Sequence, residues 1–138
     1  AKSIIFAPGA IATSVARFIE PTPNVVARFI GQDSIENAVS LASEAGIGVT
    51  DAAYGIANTG SVFVAGGRPA RVASLLPPIN VVLLRNNSIL PDISELLDKK
   101  DTFDADAVLI TGPSRTTDIE KILALGVHGP GKLIVLLL

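Results

Sequence analysis

Short apolar runs alternate with helix-like segments along most of this 138-residue chain, and this alternation limits its possible folds more than any other feature. The runs cover residues 3–7, 25–30, 80–84, 107–110 and 133–138. Strands that alternate with helices are typical of parallel β-sheets with helices on both faces. The sequence therefore predicts an α/β fold with a mostly parallel sheet covered by helices on both faces.

Four segments show the spacing of apolar residues that is expected of amphipathic helices. They are residues 10–19, 34–45, 89–98 and 117–125. In the second, apolar residues at positions 35, 38, 39 and 42 follow the i, i+3, i+4, i+7 pattern, and Asp33 stands where a capping residue is expected. In the fourth, Thr117 and Glu120 have the spacing of a capping box, which gives Thr117 a structural role.

Residues 48–65 interrupt the alternation. The turn-forming residues 57–61 separate two apolar stretches, which predicts an inserted β-hairpin, and the glycine-rich residues 66–69 are expected to form a loop. Since no repeat or linker divides the chain, we expect one domain over residues 1–138. The chain does not begin with Met, which suggests that this domain is incomplete at its N-terminus.

The chain is 49% hydrophobic, yet its apolar runs are far shorter than the roughly 20 residues of a membrane-spanning helix. We therefore expect no membrane span and a cytoplasmic location. The surplus of apolar residues is expected in strands that are buried on both faces, or in a homo-oligomer interface.

Charge and composition exclude several classes of function. The net charge of −2 comes from scattered charges, and aromatic residues make up 4%, which argues against nucleic acid as a partner. There is no Cys and one His. We therefore expect no metal, cofactor or disulfide within this chain.

A turn rich in hydroxyl groups directly follows the apolar run at 107–110 and precedes the last predicted helix. Gly112 shapes this turn, and Ser114, Arg115 and Thr116 supply hydroxyl groups and a guanidinium. Ligands bind at the carboxyl ends of strands in open α/β sheets, and helix N-termini favour anions. We therefore expect a small carboxylate or phosphate here, unless Arg115 forms a salt bridge to a neighbouring element.

A second candidate is the turn that contains Thr59, Gly60 and Ser61. Glycine lets backbone approach a ligand closely and the adjacent hydroxyl groups can bind oxygen atoms, although the same residues make an ordinary turn.

Three further side chains complete the set of candidates. Arg71 and Ser74 precede a double proline, where Arg71 would either join Arg115 in clamping an anion or lie in solvent on an edge strand. His128 lies between glycines before the last strand and would either reach the ligand or make structural hydrogen bonds. Asp51 would act as a base, a hydrogen-bond anchor or, most simply, a turn cap. The sequence assigns no catalytic residue.

Four segments together resemble the LUD domain family: residues 48–61, 71–78, 111–120 and 125–130. The most specific are GPSRTTDIE, which begins at Gly112, and LGVHGP, which begins at Leu125. The resemblance implies a fold similar to the NagB/RpiA/CoA-transferase group. It also implies a role in oxidising L-lactate to pyruvate, with iron–sulfur clusters carried by partner subunits.

The chain departs from the family pattern at Asn58, where an acidic residue is usual, and at Asn80, where a histidine is frequent. Each change removes a titratable group, and a proton-transfer step that depends on either group would be altered. The alternative is a stand-alone enzyme that acts on a phosphosugar or a CoA ester, as other members of the fold group do. The sequence leaves open whether the chain is catalytic by itself.

Overall fold

The predicted strands and helices alternate in the structure, a computed structural model, much as the sequence pattern indicates. The structure describes residues 2–19, 22–31, 34–113, 115–117, 123–125 and 129–138. Its strands are β1 (Lys2–Phe6), β2 (Val25–Phe29), β3 (Ile47–Asp51), β4 (Tyr54–Ile56), β5 (Ser61–Val64), β6 (Ile79–Leu84), β7 (Ile89–Leu90), β8 (Val108–Ile110), β9 (Arg115–Thr117), β10 (Leu123–Leu125) and β11 (Lys132–Leu137). Its α-helices are α1 (Ala10–Ile19), α2 (Ile35–Glu44), α3 (Gly67–Leu75) and α4 (Ile93–Leu97).

Five of the described strands form one parallel sheet in the order β11-β6-β3-β1-β2. Helix α1 packs on one face of this sheet, and α2 and α3 pack on the other. This arrangement confirms the predicted fold class. The order reverses between β1 and β3, which makes the carboxyl ends of these two strands the switch point of the sheet.

The two faces of the sheet bury separate apolar clusters. Phe6, Val49 and Leu83 pack against Ala12 and Ala16 of α1. Ile5 and Val82 belong to the cluster on the other face, which also contains small residues from α2 and α3. Small helix residues let the helices approach the sheet closely, so each face is sealed by alanine against larger strand side chains.

Helix α3 lies so near β3 that residue 48 has no room for a side chain. A β-carbon on Gly48 would collide with the backbone carbonyl oxygen of Ala73 and would also touch Pro77. Gly48 therefore sets the distance between the sheet and α3.

The inserted hairpin is confirmed, and it is part of a second sheet. Strands β4 and β5 pair antiparallel, with Ile56 opposite Ser61. Within the described residues this sheet has the order β7-β4-β5-β8, with β7 parallel to β4 and β8 antiparallel to β5. The expectation that the run at 107–110 continues the parallel sheet is therefore wrong, because hydrogen bonding to β5 holds β8 in the second sheet.

Two predicted segments form other elements in the structure. Residues 89–98 form the short strand β7 and then α4, because the side chain of Asp92 accepts hydrogen bonds from the backbone N–H groups of Ser94 and Glu95 and begins the helix there. The expected loop at 66–69 is largely the first turn of α3, which begins at Gly67. Pro69 fits there because the first turn of a helix does not need its missing N–H.

The helix predicted at 117–125 is wrong at both of its ends. Thr117 belongs to β9 and residues 123–125 form β10, and these strands pair antiparallel with Leu123 opposite Thr117. The β-branched residues Thr116 and Thr117 favour a strand, and they lie opposite Ala124 and Leu123. Residues 118–122, which include Glu120 of the expected capping box, lie outside the described residues, as does Asp33. The cap of α2 in the structure is Ser34, whose hydroxyl accepts from the backbone N–H of Asn37.

None of the helices in the described parts of the chain combines the length and the apolarity needed to cross a membrane.

Candidate functional site

Two turns that the sequence singles out lie side by side, joined by hydroxyl groups. The Thr59 and Ser61 hydroxyl oxygens are 2.7 Å apart, and the Ser61 oxygen is 2.9 Å from that of Thr111. Ser61 is buried at the start of β5, and Thr111 directly follows β8. The antiparallel pairing of β5 and β8 brings the two turns together, and Thr111 is a member of this cluster that the sequence analysis did not name as a candidate.

Glycines shape the edges of this cluster. Gly60 has a φ of 65° and Gly112 a φ of 120°, both in the left-handed region that favours glycine. A β-carbon on Gly60 would meet no atom within 4 Å among the described residues, so the tip of its turn faces open space.

A small groove of about 160 Å³ lies beside Gly112. It is lined by residues 108–113, by Leu75 at the end of α3, and by Gly129 and Pro130. A β-carbon on Gly112 would lie 3.9 Å from the Leu133 side chain, near the start of β11. The groove is therefore at the amino ends of β6 and β11. The expectation that this turn lies at the carboxyl edge of the parallel sheet is wrong, because β8 belongs to the second sheet.

The structure describes some of the remaining predicted site residues and leaves others out. Arg115 and Thr116 lie in β9, whose backbone is described. Ser114 and His128 lie outside the described residues. Their predicted contacts with an anion therefore stay predictions.

Arg71 and Ser74 lie on α3, so the edge-strand alternative for Arg71 is wrong. The Arg71 guanidinium is 3.6 Å from a carboxylate oxygen of Asp106, which precedes β8, whereas Thr111 follows β8. Ser74 is fully buried and its hydroxyl donates to the Arg71 carbonyl oxygen at 2.8 Å. The Arg71 ion pair therefore holds α3 to the segment before β8, whereas the Ser74 hydrogen bond lies within α3.

Asp51 connects β3 to α1. One of its carboxylate oxygens accepts from the backbone N–H of Ile11 at 3.0 Å, and the other accepts from Ala12 at 2.9 Å. Of its three predicted roles, the structure shows the hydrogen-bond anchor. The carboxylate occupies the N-terminus of α1 at the switch point, where a ligand anion would otherwise be favoured.

Sequence analysis missed a crevice beside Asp51, at the carboxyl ends of β1 and β2. It has a volume of about 600 Å³, and its lining residues are Pro8, Gly9, Ala10, Thr13, Ser14, Arg17, Phe29 and Gly31. The available signal was Pro8-Gly9 between the first predicted strand and the first predicted helix, since the loop after the first strand of such sheets frequently contacts ligands.

A buried polar pair lies inside the sheet. Thr50 and Asn80 are both fully buried, and the Thr50 hydroxyl donates to the Asn80 side-chain oxygen at 3.4 Å. The Asn80 side-chain nitrogen has no hydrogen-bond partner among the described residues. Asn80 is therefore buried inside the sheet.

A family model described as the LUD domain matches residues 22–138. Uncharacterized protein YkgG of Escherichia coli K12 is 35% identical over 108 residues, which cover 72% of this chain and 47% of that protein. Lactate utilization protein C of Halalkalibacterium halodurans is 33% identical, covering 69% of this chain and 45% of the relative. Lactate utilization protein C of Bacillus subtilis strain 168 is 32% identical, and the match covers 72% of this chain and 45% of that protein. The chain thus spans about half the length of these curated relatives.

Among solved structures, a crystal structure of a DUF162 family protein from Deinococcus radiodurans at 1.70 Å resolution matches with a TM-score of 0.52 and 16% identity. The match covers 99% of this chain and 87% of that chain, and it supports the α/β fold. The family model covers most of the sequence, and the resemblance noted in four segments is confirmed. The chain belongs to the LUD domain family.

Proposed function

We propose that this chain acts as a subunit of a system that oxidises L-lactate, in the manner of a lactate utilization protein C. The observation that carries the proposal is its identity of 32–33% to proteins of that name over about 70% of the chain. The proposed location is the cytoplasm, and a homo-oligomer is part of the proposal, since several apolar side chains of β11 are more than a third exposed.

We assign the redox cofactors to partner subunits. An iron–sulfur cluster needs cysteine thiolates or comparable ligands, whereas this sequence has no Cys and one His. The described residues also contain no group of three His, Cys, Asp or Glu side chains arranged to hold a metal ion. In the proposed system this chain binds a small anion and contacts subunits that hold the clusters.

The proposed anion site is built around the hydroxyl cluster of Thr59, Ser61 and Thr111. Its members from the sequence are Thr59, Gly60, Ser61, Arg71, Ser74, Gly112, Ser114, Arg115, Thr116 and His128. Two observations support a site for a small carboxylate or phosphate here. The hydroxyl groups lie close to one another, and a groove lies beside them. Arg115 would supply the positive charge, because the Arg71 guanidinium already lies 3.6 Å from a carboxylate oxygen of Asp106.

Affinity purification tests the subunit proposal. The full-length protein is tagged in its native host, which is grown on L-lactate, and the eluate is assayed for bound iron and for lactate-dependent dye reduction. Co-purification of iron–sulfur proteins with that activity is the expected result. The tag alone, and cells grown without lactate, serve as controls. A colourless, inactive eluate would contradict the proposal, and turnover of a phosphosugar or a CoA ester by the purified chain would favour the stand-alone enzyme instead.

A pair of arginine variants tests the anion site. Arg115→Ala should weaken binding of lactate, pyruvate or inorganic phosphate by about tenfold, the effect of losing one charge-assisted hydrogen bond. Arg28→Ala removes an exposed arginine on β2 and should bind as the wild type does. Equal affinities in both variants would remove Arg115 from the site.

A further inference from the structure

The crevice at the carboxyl ends of β1 and β2 contains a cation that the proposed function does not use. Arg17 lines it and is exposed. Among the described residues the structure gives ion pairs to Arg68 and Arg71 but none to Arg17. A guanidinium at the wall of a cavity of about 600 Å³ is positioned to receive a carboxylate or a phosphate.

The N-terminus of α1 does not compete for that anion. Its Ile11 and Ala12 N–H groups already donate to the Asp51 carboxylate. The negative charge of Asp51 opposes a second anion at the helix start. An anionic ligand in the crevice is therefore directed away from the helix start and toward Arg17.

The hydroxyl groups of Thr13 and Ser14 lie between the start of α1 and Arg17, and they favour hydrogen-bond donors on the ligand. The Thr13 hydroxyl donates to the Gly9 carbonyl oxygen at 2.7 Å, and that of Ser14 donates to the Ala10 carbonyl oxygen at 3.1 Å. Because both protons are used within the helix, the two oxygens are left as acceptors. Thr13 and Arg17 are one helical turn apart, about 6 Å along the axis.

An aromatic wall completes the crevice. Phe29 packs against Phe6 with ring centroids 5.6 Å apart. It lines the crevice, and 43% of its surface is exposed. An exposed ring beside hydroxyl acceptors suits the carbon skeleton of a polyhydroxylated molecule, whose C–H groups pack on the ring.

We infer that this crevice binds a small hydroxylated anion, with the anionic group on Arg17 and ligand hydroxyls donating to Thr13 and Ser14. The site is distinct from the hydroxyl cluster around Ser61. The anionic group is a carboxylate, as in a sugar acid, or a phosphate, as in a sugar phosphate, and both share the chemistry that Arg17 recognises.

Calorimetric titration of the purified chain tests the inference. D-gluconate and ribose 5-phosphate are the hydroxylated probes, and propionate and inorganic phosphate are their counterparts without the polyol. We expect a hydroxylated probe to bind at least about tenfold more tightly than its counterpart, since each added hydrogen bond contributes to affinity. The tighter of the two hydroxylated probes identifies the anionic group.

Variants locate the binding. Arg17→Ala should lower the affinity for the hydroxylated probe by about tenfold or more. Thr13→Val should also lower that affinity, without changing the affinity for propionate. Arg28→Ala should bind as the wild type does, and thermal melting checks that every variant is folded. No binding by either hydroxylated probe, equal affinity for the counterparts, or unchanged binding by Arg17→Ala would overturn the inference. None of these results would alter co-purification with lactate-oxidising partners, so the two proposals fail separately.

Discussion

A β-carbon at position 9 would lie 2.5 Å from the Oδ2 atom of Asp51, so Gly9 and Asp51 fit together because residue 9 has no side chain. The Asp51 carboxylate passes this glycine to reach the backbone of α1 at Ile11 and Ala12. The loop after β1 and the end of β3 thus form one interlocked unit at the switch point.

Breaking this unit from either side should destabilise the protein. Asp51→Ala leaves two helix N–H groups without their acceptor and should lower the free energy of unfolding by roughly 1–3 kcal/mol. Gly9→Ala should have a comparable effect because the carboxylate must move. Urea denaturation measures both, with Asp98→Ala, which removes an exposed carboxylate, as the control. Wild-type stability in Asp51→Ala would show that the two hydrogen bonds contribute nothing.

The contact of β3 with α3 should tolerate no added carbon. Gly48→Ala places a β-carbon against the Ala73 carbonyl and should cost roughly 1–3 kcal/mol of unfolding free energy, as overpacking typically does. Gly46→Ala is the matched control at the start of the same region, because its added carbon would be at an ordinary 3.7 Å from the nearest atom. The comparison fails if the two variants melt at the same temperature.

Thr50 and Asn80 should behave as a coupled pair. Asn80→Leu alone leaves the buried Thr50 hydroxyl without its acceptor and should destabilise the protein by roughly 1–3 kcal/mol. Adding Thr50→Val should restore part of this loss, because both polar groups are then gone. A double-mutant cycle by chemical denaturation measures the coupling. Strictly additive effects would mean that the 3.4 Å hydrogen bond carries no stability.

Asp92 should make stability depend on pH. Hydrogen bonds from the Ser94 side chain and then from the Glu95 backbone hold the pKa of Asp92 below its usual value. A carboxyl with a lower pKa in the folded state stabilises the protein above its unfolded pKa, and this contribution is lost as the pH falls through the folded-state pKa.

Asp92→Asn tests this because asparagine keeps a capping oxygen without the charge. The melting temperature of the wild type should exceed that of Asp92→Asn near neutral pH. The difference should shrink as the pH falls from about 5 to about 2, across and below the ordinary range of an aspartate pKa. A gap that is constant over this range would contradict the assigned role of the charge.

Four strands of the parallel sheet and its first two helices could be predicted because their signals are local, whereas the central strand β3 was not predicted and falls in the segment assigned to the inserted hairpin. The helix at 10–19 and the strand at 80–84 coincide with α1 and β6 to within a residue, since each follows directly from apolar spacing and from flanking breakers. The family, too, was identified from short local motifs. Local pattern is sufficient where each element buries one predictable face.

The second sheet could not be predicted in the same way. Whether β8 joins the parallel sheet or pairs with β5 depends on hydrogen bonding between Val62 and Ile110, which are distant in sequence. The same pairing brings Ser61 to Thr111 and moves Gly112 away from the carboxyl edge. Likewise, the hydrogen bonds of Asp51 join β3 to α1 across about 40 residues, so no local sequence motif predicts them.

Strand β1 pairs with β2 on one side and with β3 on the other, and it leads directly into α1. Strand β11, by contrast, pairs with β6 at the margin of the sheet as described. Losing β11 would narrow the sheet by one strand, whereas losing β1 would detach β2 and remove the support beneath α1. Strand β1 is therefore the hub of the parallel sheet, and its loss would dismantle the sheet from its interior.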